Sequence, residues 1–289
     1  YDGTAPALTA VTQVPTPSND TTPSFIFSTN EAGTITTNIS EGFSTSASAT
    51  TGGNLTITFN TLDEGTYTGK TVTVTDAAGN AGSITMADFV IDTTGPTAEI
   101  SYSSDAPYKN GETVTITATF TEALVTTPKI AIAGSGIANV AATNMTSTDS
   151  DAVWTYAYAV PTGDGTGTIS LSVGEDASGN TVTSTPTSGA TFTVDNTAPS
   201  LTAVTQVPTP SNDTTPSFIF STNEAGTITS NLAFGGSDSA TTGGNLTITF
   251  NTLDEGTYTG KTVTVTDTYG NAGSITMADF VIDTTAPTM

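Results

Sequence analysis

Residues 55–76 read LTITFNTLDEGTYTGKTVTVTD. Leu55, Ile57 and Phe59 fall on alternate positions, as do Val72 and Val74, and threonine fills most of the places between. A period of two sends apolar side chains to one face of an extended strand and hydroxyls to the other. The residues joining the two runs, Asp63-Glu64-Gly65 and Thr68-Gly69, are turn formers rather than helix formers. The longer stretch 52–76 returns at 243–267, so one reading serves two places in the chain.

The repetition extends further. Residues 4–36, TAPALTAVTQVPTPSNDTTPSFIFSTNEAGTIT, return almost unchanged at 197–229. The middle of the chain differs in sequence but keeps the punctuation: alternating Val114, Ile116, Ala118 and Phe120, then Ile169, Leu171 and Val173, then an acidic Gly-Asn turn. The words VIDTTGP (90–96), TVDNTAP (193–199) and VIDTTAP (281–287) close the three parts. The expected organisation is three units, 1–93, 94–196 and 197–289, the second divergent and the third a near copy of the first. No stretch carries a sustained helical period. Each unit therefore reads as a β-sandwich of about seven strands.

Composition excludes much chemistry. The 289 residues include 27 acids, four lysines, no arginine, no histidine and no cysteine, for a formal charge of −23. Without Cys or His there is no zinc or haem ligand set, no thiol nucleophile and no imidazole base. The negative charge argues against nucleic acid and anionic membranes, whose binding needs cations on the protein. No apolar run reaches the roughly 18 residues of a membrane helix, so the chain reads as soluble, with any export signal lying elsewhere. Disulfides cannot staple these small sandwiches.

The carboxylates have an ordered placement. If the strands of each unit alternate up and down in sandwich order, the B–C and F–G loops lie at the pole where the preceding joint arrives. Unit one then brings Glu31 of STNEAG together with Asp76 and Asn80 of DAAGN and Asp2 of the joint. Unit two offers Glu122 of FTEAL, Asp176 and Asn180 of DASGN, and Asp92. Unit three offers Glu224, Asp267, Asn271 and Asp195, and Asp283 belongs to the last joint. Three carboxylates and an amide oxygen with no basic neighbour repel one another unless a cation sits among them. Calcium suits such a set, since it takes six to eight oxygen ligands in irregular geometry. The proline closing each joint limits its flexibility. The same Asp-x-x-Gly-Asn words are also good turn sequences, and the two roles are compatible. Asp63, Glu64, Asp254 and Glu255 fall at the opposite pole, either as solvated loop charges or as donors to the next junction.

The words DAAGN, VIDTTGP and STNEAG resemble those of bacterial immunoglobulin-like repeats in giant calcium-binding surface adhesins secreted by type I systems. That resemblance implies an all-β chain of three tandem immunoglobulin-like β-sandwich domains in an elongated array. It implies an extracellular spacer, stiffened by Ca2+ against its neighbouring repeats, that carries a distal binding domain for cell adhesion or biofilm formation. The ligand-binding part would lie elsewhere in the parent protein. The ends DGTAP and DTTAPTM suggest a piece of a longer array. At about 3.4 Å per residue in extended strands, three units in line would span on the order of 120 Å.

Two other functions stand beside this one. Threonine-rich strand faces, or Trp154 alternating with Tyr156 and Tyr158, could form a carbohydrate- or surface-binding module, although threonine on exposed strand faces and buried aromatic rings are the ordinary uses of these residues. A glycosidase would need two acids facing each other across a cleft. Acids gathered at three domain poles do not suggest that, and the chain reads as non-enzymatic.

Overall fold

The computed structural model describes residues 2–148 and 150–288; the outermost residues of the first and third expected units, Tyr1 and Met289, lie outside it. Every regular element among the described residues is a β-strand. Unit one contains β1 (Leu8–Thr12), β2 (Ser24–Thr29), β3 (Gly33–Thr37), β4 (Ser48–Ala49), β5 (Leu55–Thr58), β6 (Gly65–Tyr67), β7 (Thr71–Thr75), β8 (Ala81–Thr85) and β9 (Phe89–Ile91). One sheet has the order β1-β2-β5 and the facing sheet β4-β3-β7-β8, while β6 and β9 form a separate pair. Phe25 and Phe27 of β2 and Val72 and Val74 of β7 are fully buried, with half-buried Ile26 and Thr73 between them, as the period of two requires. Burying each such side chain stabilises by about 1.5–3 kcal/mol.

Unit two is built from β10 (Ala98–Tyr102), β11 (Thr113–Phe120), β12 (Lys129–Ser135), β13 (Val140–Asn144), β14 (Thr146–Ser147), β15 (Val153–Ala159), β16 (Gly165–Ser172) and β17 (Thr191–Val194). Its sheets run β10-β11-β15-β14 and β13-β12-β16-β17. Unit three follows unit one from Leu201–Thr205 to Phe280–Ile282, with one further short strand, Phe234–Gly235, that pairs with Leu246–Phe250. Each unit has its own hydrophobic cluster, running from Val14 to Ile91, from Ala98 to Val194 and from Val207 to Ile282. The chain is an all-β series of immunoglobulin-like sandwiches in tandem.

One detail departs from the alternating pattern. Val173, expected on the apolar face with Ile169 and Leu171, is 52 % exposed. The strand has ended at Ser172, and Val173 turns out of it with φ of 75°. Trp154 goes inward at 7 % exposure, packs in the unit-two cluster and donates Nε1–H to the Asp151 carbonyl at 2.8 Å. Its ring faces are therefore not presented to a sugar.

Tyrosine hydroxyls tie down corners. Tyr67 donates to Asp63 O at 2.9 Å and Tyr258 to Asp254 O at 2.8 Å. Unit two has no tyrosine at that place, yet Tyr108, before β11, donates to Ser104 O at 2.9 Å across the same four-residue span. Nearby Tyr158 packs edge-on to Phe192 at 5.2 Å, and its buried hydroxyl has no partner among the described residues. Since an unmade buried hydrogen bond costs and a made one stabilises, two conservative changes should differ in sign. Tyr108→Phe is expected to lower unit-two stability by about 1 kcal/mol, and Tyr158→Phe to leave it level or raise it by up to about 1 kcal/mol. Trp154, the single tryptophan, reports this unit in a denaturant titration followed by fluorescence. A marked loss for Tyr158→Phe would mean that its hydroxyl is bonded.

Candidate metal centre

The site begins in the F–G turn. Asp76 accepts the backbone N–H groups of Ala78 and Asn80 on Oδ1, both at 2.8 Å, and its own N–H donates to Asn80 O at 3.0 Å. Gly79 takes φ of 91° to close the loop, a conformation that favours glycine. Asp176 does the same with Ser178 and Asn180, and Asp267 with Tyr269 and Asn271. Each turn is thus built around a carboxylate whose second oxygen, Oδ2, accepts from the asparagine amide at 2.8–3.0 Å.

The other amide hydrogen leaves the turn. Asn80 Nδ2 donates to the Asp2 carbonyl at 3.2 Å, Asn180 Nδ2 to Asp92 O at 2.9 Å and Asn271 Nδ2 to Asp195 O at 3.2 Å. These asparagines were expected to offer an amide oxygen to a cation. The structure turns the amide nitrogen of each towards the joint, which makes Asn80, Asn180 and Asn271 struts between turn and joint.

The carboxylates come together unequally. One oxygen each from Asp2, Glu31 and Asp76 lies within 4.8 Å of the others, and the same holds for Asp92, Glu122 and Asp176. The second group spans two units, because Asp92 arrives on the joint from unit one. Asp195, Glu224 and Asp267 stand wider among the described residues, with Glu224 Oε1 accepting from Asn223 Nδ2 at 3.3 Å. Asp283 is exposed at the downstream pole of unit three, and its Oδ1 accepts from Thr285 N at 3.0 Å.

Burial, and then the charges of Asp92, Asp176 and Glu64, push the Glu122 carboxyl above its ordinary value. Glu224 is raised in the same way, by burial first and then by Asp195 and Asp267. Asp76 is lowered, chiefly by its bond from Asn80. Asp176 is only 3 % exposed. Three of the four lysines are engaged elsewhere or through backbone: Lys70 and Lys261 lie 5.7 and 5.9 Å from the ring centroids of Tyr67 and Tyr258, and Lys109 Nζ donates to Gly270 O at 2.8 Å.

Part of the arrangement was missed in the sequence. Glu64 accepts from Thr93 N, Thr93 Oγ1 and Thr94 Oγ1, fastening the joint to unit one, and Glu255 holds Thr284 and Thr285 likewise. Asp164 takes this part in unit two, accepting from Asn196 N and from Thr197 Oγ1. The signal was present as acid-Gly-Thr at 64–66, 164–166 and 255–257.

Two family models match the chain. Residues 9–93 are similar to the family described as Bacterial Ig-like domain, and residues 53–185 to Bacterial Ig-like domain (group 3). No curated protein matches. Among solved structures, an E-to-A variant of a three-immunoglobulin-domain titin segment aligns over 97 % of this chain and 99 % of its own, at 10 % identity and a TM-score of 0.41. Escherichia coli alpha-2-macroglobulin activated by porcine elastase aligns over 96 % of this chain and 32 % of its own, at 8 % identity and a TM-score of 0.26.

The raised Glu122 carboxyl gives a signed pH dependence. The folded chain holds that proton more tightly than the unfolded chain, so its contribution to stability falls as pH rises from 4.5 through the raised value. In chelator at pH 7, Glu122→Gln is expected to stabilise unit two. The margin over the parent should shrink as pH falls through that window and level off below it. Trp154-monitored unfolding of both chains across this range is the check, and a margin independent of pH would contradict the assignment.

Proposed function

We propose that this chain is a structural spacer of a bacterial surface adhesin, non-catalytic and extracellular, in which calcium at the joints holds successive immunoglobulin-like units in fixed relation. The observation that carries this is the Asp92–Glu122–Asp176 group, in which acids from two units meet within 4.8 Å. Similarity to bacterial Ig-like domain families supports an extracellular repeat.

The residues fit the ion. All donors are hard oxygens, one of them on a carboxylate that is 3 % exposed, and the asparagine strut holds the joint acid against the turn acid. Asp2, Glu31 and Asp76 would hold calcium upstream of unit one; Asp92, Glu122 and Asp176 between units one and two; Asp195, Glu224 and Asp267 between units two and three. Bound there, it would supply charge neutralisation and crosslink joint to loops. Glu64, Asp164 and Glu255 fix the start of each joint. Such a segment would extend a binding domain located elsewhere in the parent protein, exported by a type I system and serving adhesion or biofilm formation.

Extracellular calcium at about a hundred times the dissociation constant would add about 2.7 kcal/mol per site. Calcium is therefore expected to raise the unfolding midpoint of the chain and to narrow its small-angle X-ray scattering to that of one extended particle, with chelator giving the profile of jointed beads. Asp176→Asn should lower calcium affinity at the first junction by at least tenfold, read by calorimetry. Identical scattering in calcium and chelator would overturn the clamp.

A further inference from the structure

The three joints are of two steric kinds. In units one and three the carbonyl oxygen of the joint proline, Pro6 or Pro199, lies on a strand glycine, Gly82 or Gly273, so closely that a Cβ there would overlap it. The joint residue before the proline is then alanine, Ala5 or Ala198. Unit two reverses both choices. Val182 stands where the others have glycine, so the proline carbonyl must go elsewhere, and Pro96 O accepts from Thr183 N at 2.8 Å. On that path the residue before the proline runs against the Thr181 carbonyl, and it is Gly95, where a Cβ would again overlap. The obstacle at Gly95 is space, since its φ lies outside the left-handed region.

The downstream pole of unit three carries the first half of such a seat. Asp283 N donates to Ser211 O at 2.8 Å as Asp92 N does to Ser18 O at 3.0 Å, and Glu255 holds Thr284 and Thr285 as Glu64 holds Thr93 and Thr94. Asn212 occupies the place of Asn19, whose Nδ2 reaches across the first junction to Gly179 O at 2.8 Å. At the second junction Lys109 makes the matching contact to Gly270 O. The pole therefore presents the groups that dock a following unit, but its joint reads Asp-Thr-Thr-Ala-Pro, with Ala286 where the first joint has Gly95.

We propose that the pole formed by Asn212, Glu255 and the Asp283–Pro287 joint is an interaction surface selective for a tandem immunoglobulin-like unit with Asn-Ala-Gly after its turn, as in residues 80–82, and closed to one with Asn-Thr-Val, as in residues 180–182. Ala286 supplies the exclusion from the joint side, and a valine at the Gly82 position supplies it from the strand side. The inference rests on the tandem-array reading and not on calcium.

The test extends the whole chain after Pro287 with a second copy of residues 7–93 or of residues 97–196. The absence of cysteine allows pairs of spin labels at exposed Thr36, Thr168 and Thr229 and their equivalents in the added unit, with distances read by pulsed electron resonance. The 7–93 copy is expected to give a distribution as narrow as the native Thr168–Thr229 pair. The 97–196 copy should be at least twofold broader, and Ala286→Gly should narrow it. In the unextended chain, Gly95→Ala should broaden the Thr36–Thr168 pair. Equal widths for the two copies, or no narrowing by Ala286→Gly, would overturn the selectivity while leaving the array intact. Broad native pairs would overturn the array and the selectivity together. Concentration-dependent distances between singly labelled unextended chains would assign the pole to a second copy in trans and overturn the tandem partner.

Discussion

One asparagine amide per unit carries the organisation of the junctions. Its two hydrogens go to different places, one to the turn carboxylate and one to the carbonyl of the joint aspartate. A planar amide allows little independent adjustment of those bonds, so the joint is set relative to the loop before any ion is considered. The turn contributes by satisfying Asp176 Oδ1 with two backbone N–H groups, which fixes the carboxylate and stops it from rotating away. The sandwich contributes by holding the F–G turn beside the B–C loop. Removal of the amide would leave three acids near one another without a defined arrangement.

That arrangement opposes the electrostatics of the chain. Like charges at close range destabilise a fold, and Glu122 and Glu224 are raised first by burial and then by their acidic neighbours. A charge of −23 over the chain also disfavours collapse of one unit onto another. Stability in each unit comes instead from its own core, from alternating Phe, Ile and Val. The junction can therefore be electrostatically poised while the units remain folded.

The sequence made the sandwich legible because strand alternation and turn chemistry are local, and the near-verbatim return of 4–36 at 197–229 repeats that signal without adding to it. Acids at the pole were also legible, since up-and-down order alone places Glu31, Asp76 and Asp2 together. What was not legible depends on direction. Whether Asn180 presents oxygen or nitrogen to the joint is decided by the Asp92 carbonyl, a backbone atom with no identity in the sequence. Val173 looked like the next core position because a period of two does not announce its last residue. Tyr108 makes in unit two, from a different loop, the kind of corner bond that Tyr67 and Tyr258 make in the other units, and only the fold shows that likeness. Asp164 went unnoticed because its partners, Asn196 and Thr197, are more than thirty residues away.

The two junctions are also not electrically alike. The carbonyl of the turn glycine is met by a neutral amide from Asn19 at the first and by the ammonium of Lys109 at the second. A fixed positive charge three residues from Asp267 along the turn lowers the field that Asp267 and Asp195 create, whereas nothing comparable faces Asp176 and Asp92. The acids nevertheless stand wider at the second junction, where Glu224 Oε1 accepts from Asn223 Nδ2. A divergent unit placed between two near copies thus gives one chain two junctions that share the asparagine strut and differ in charge, with Asn19 reaching across the first and Lys109 across the second.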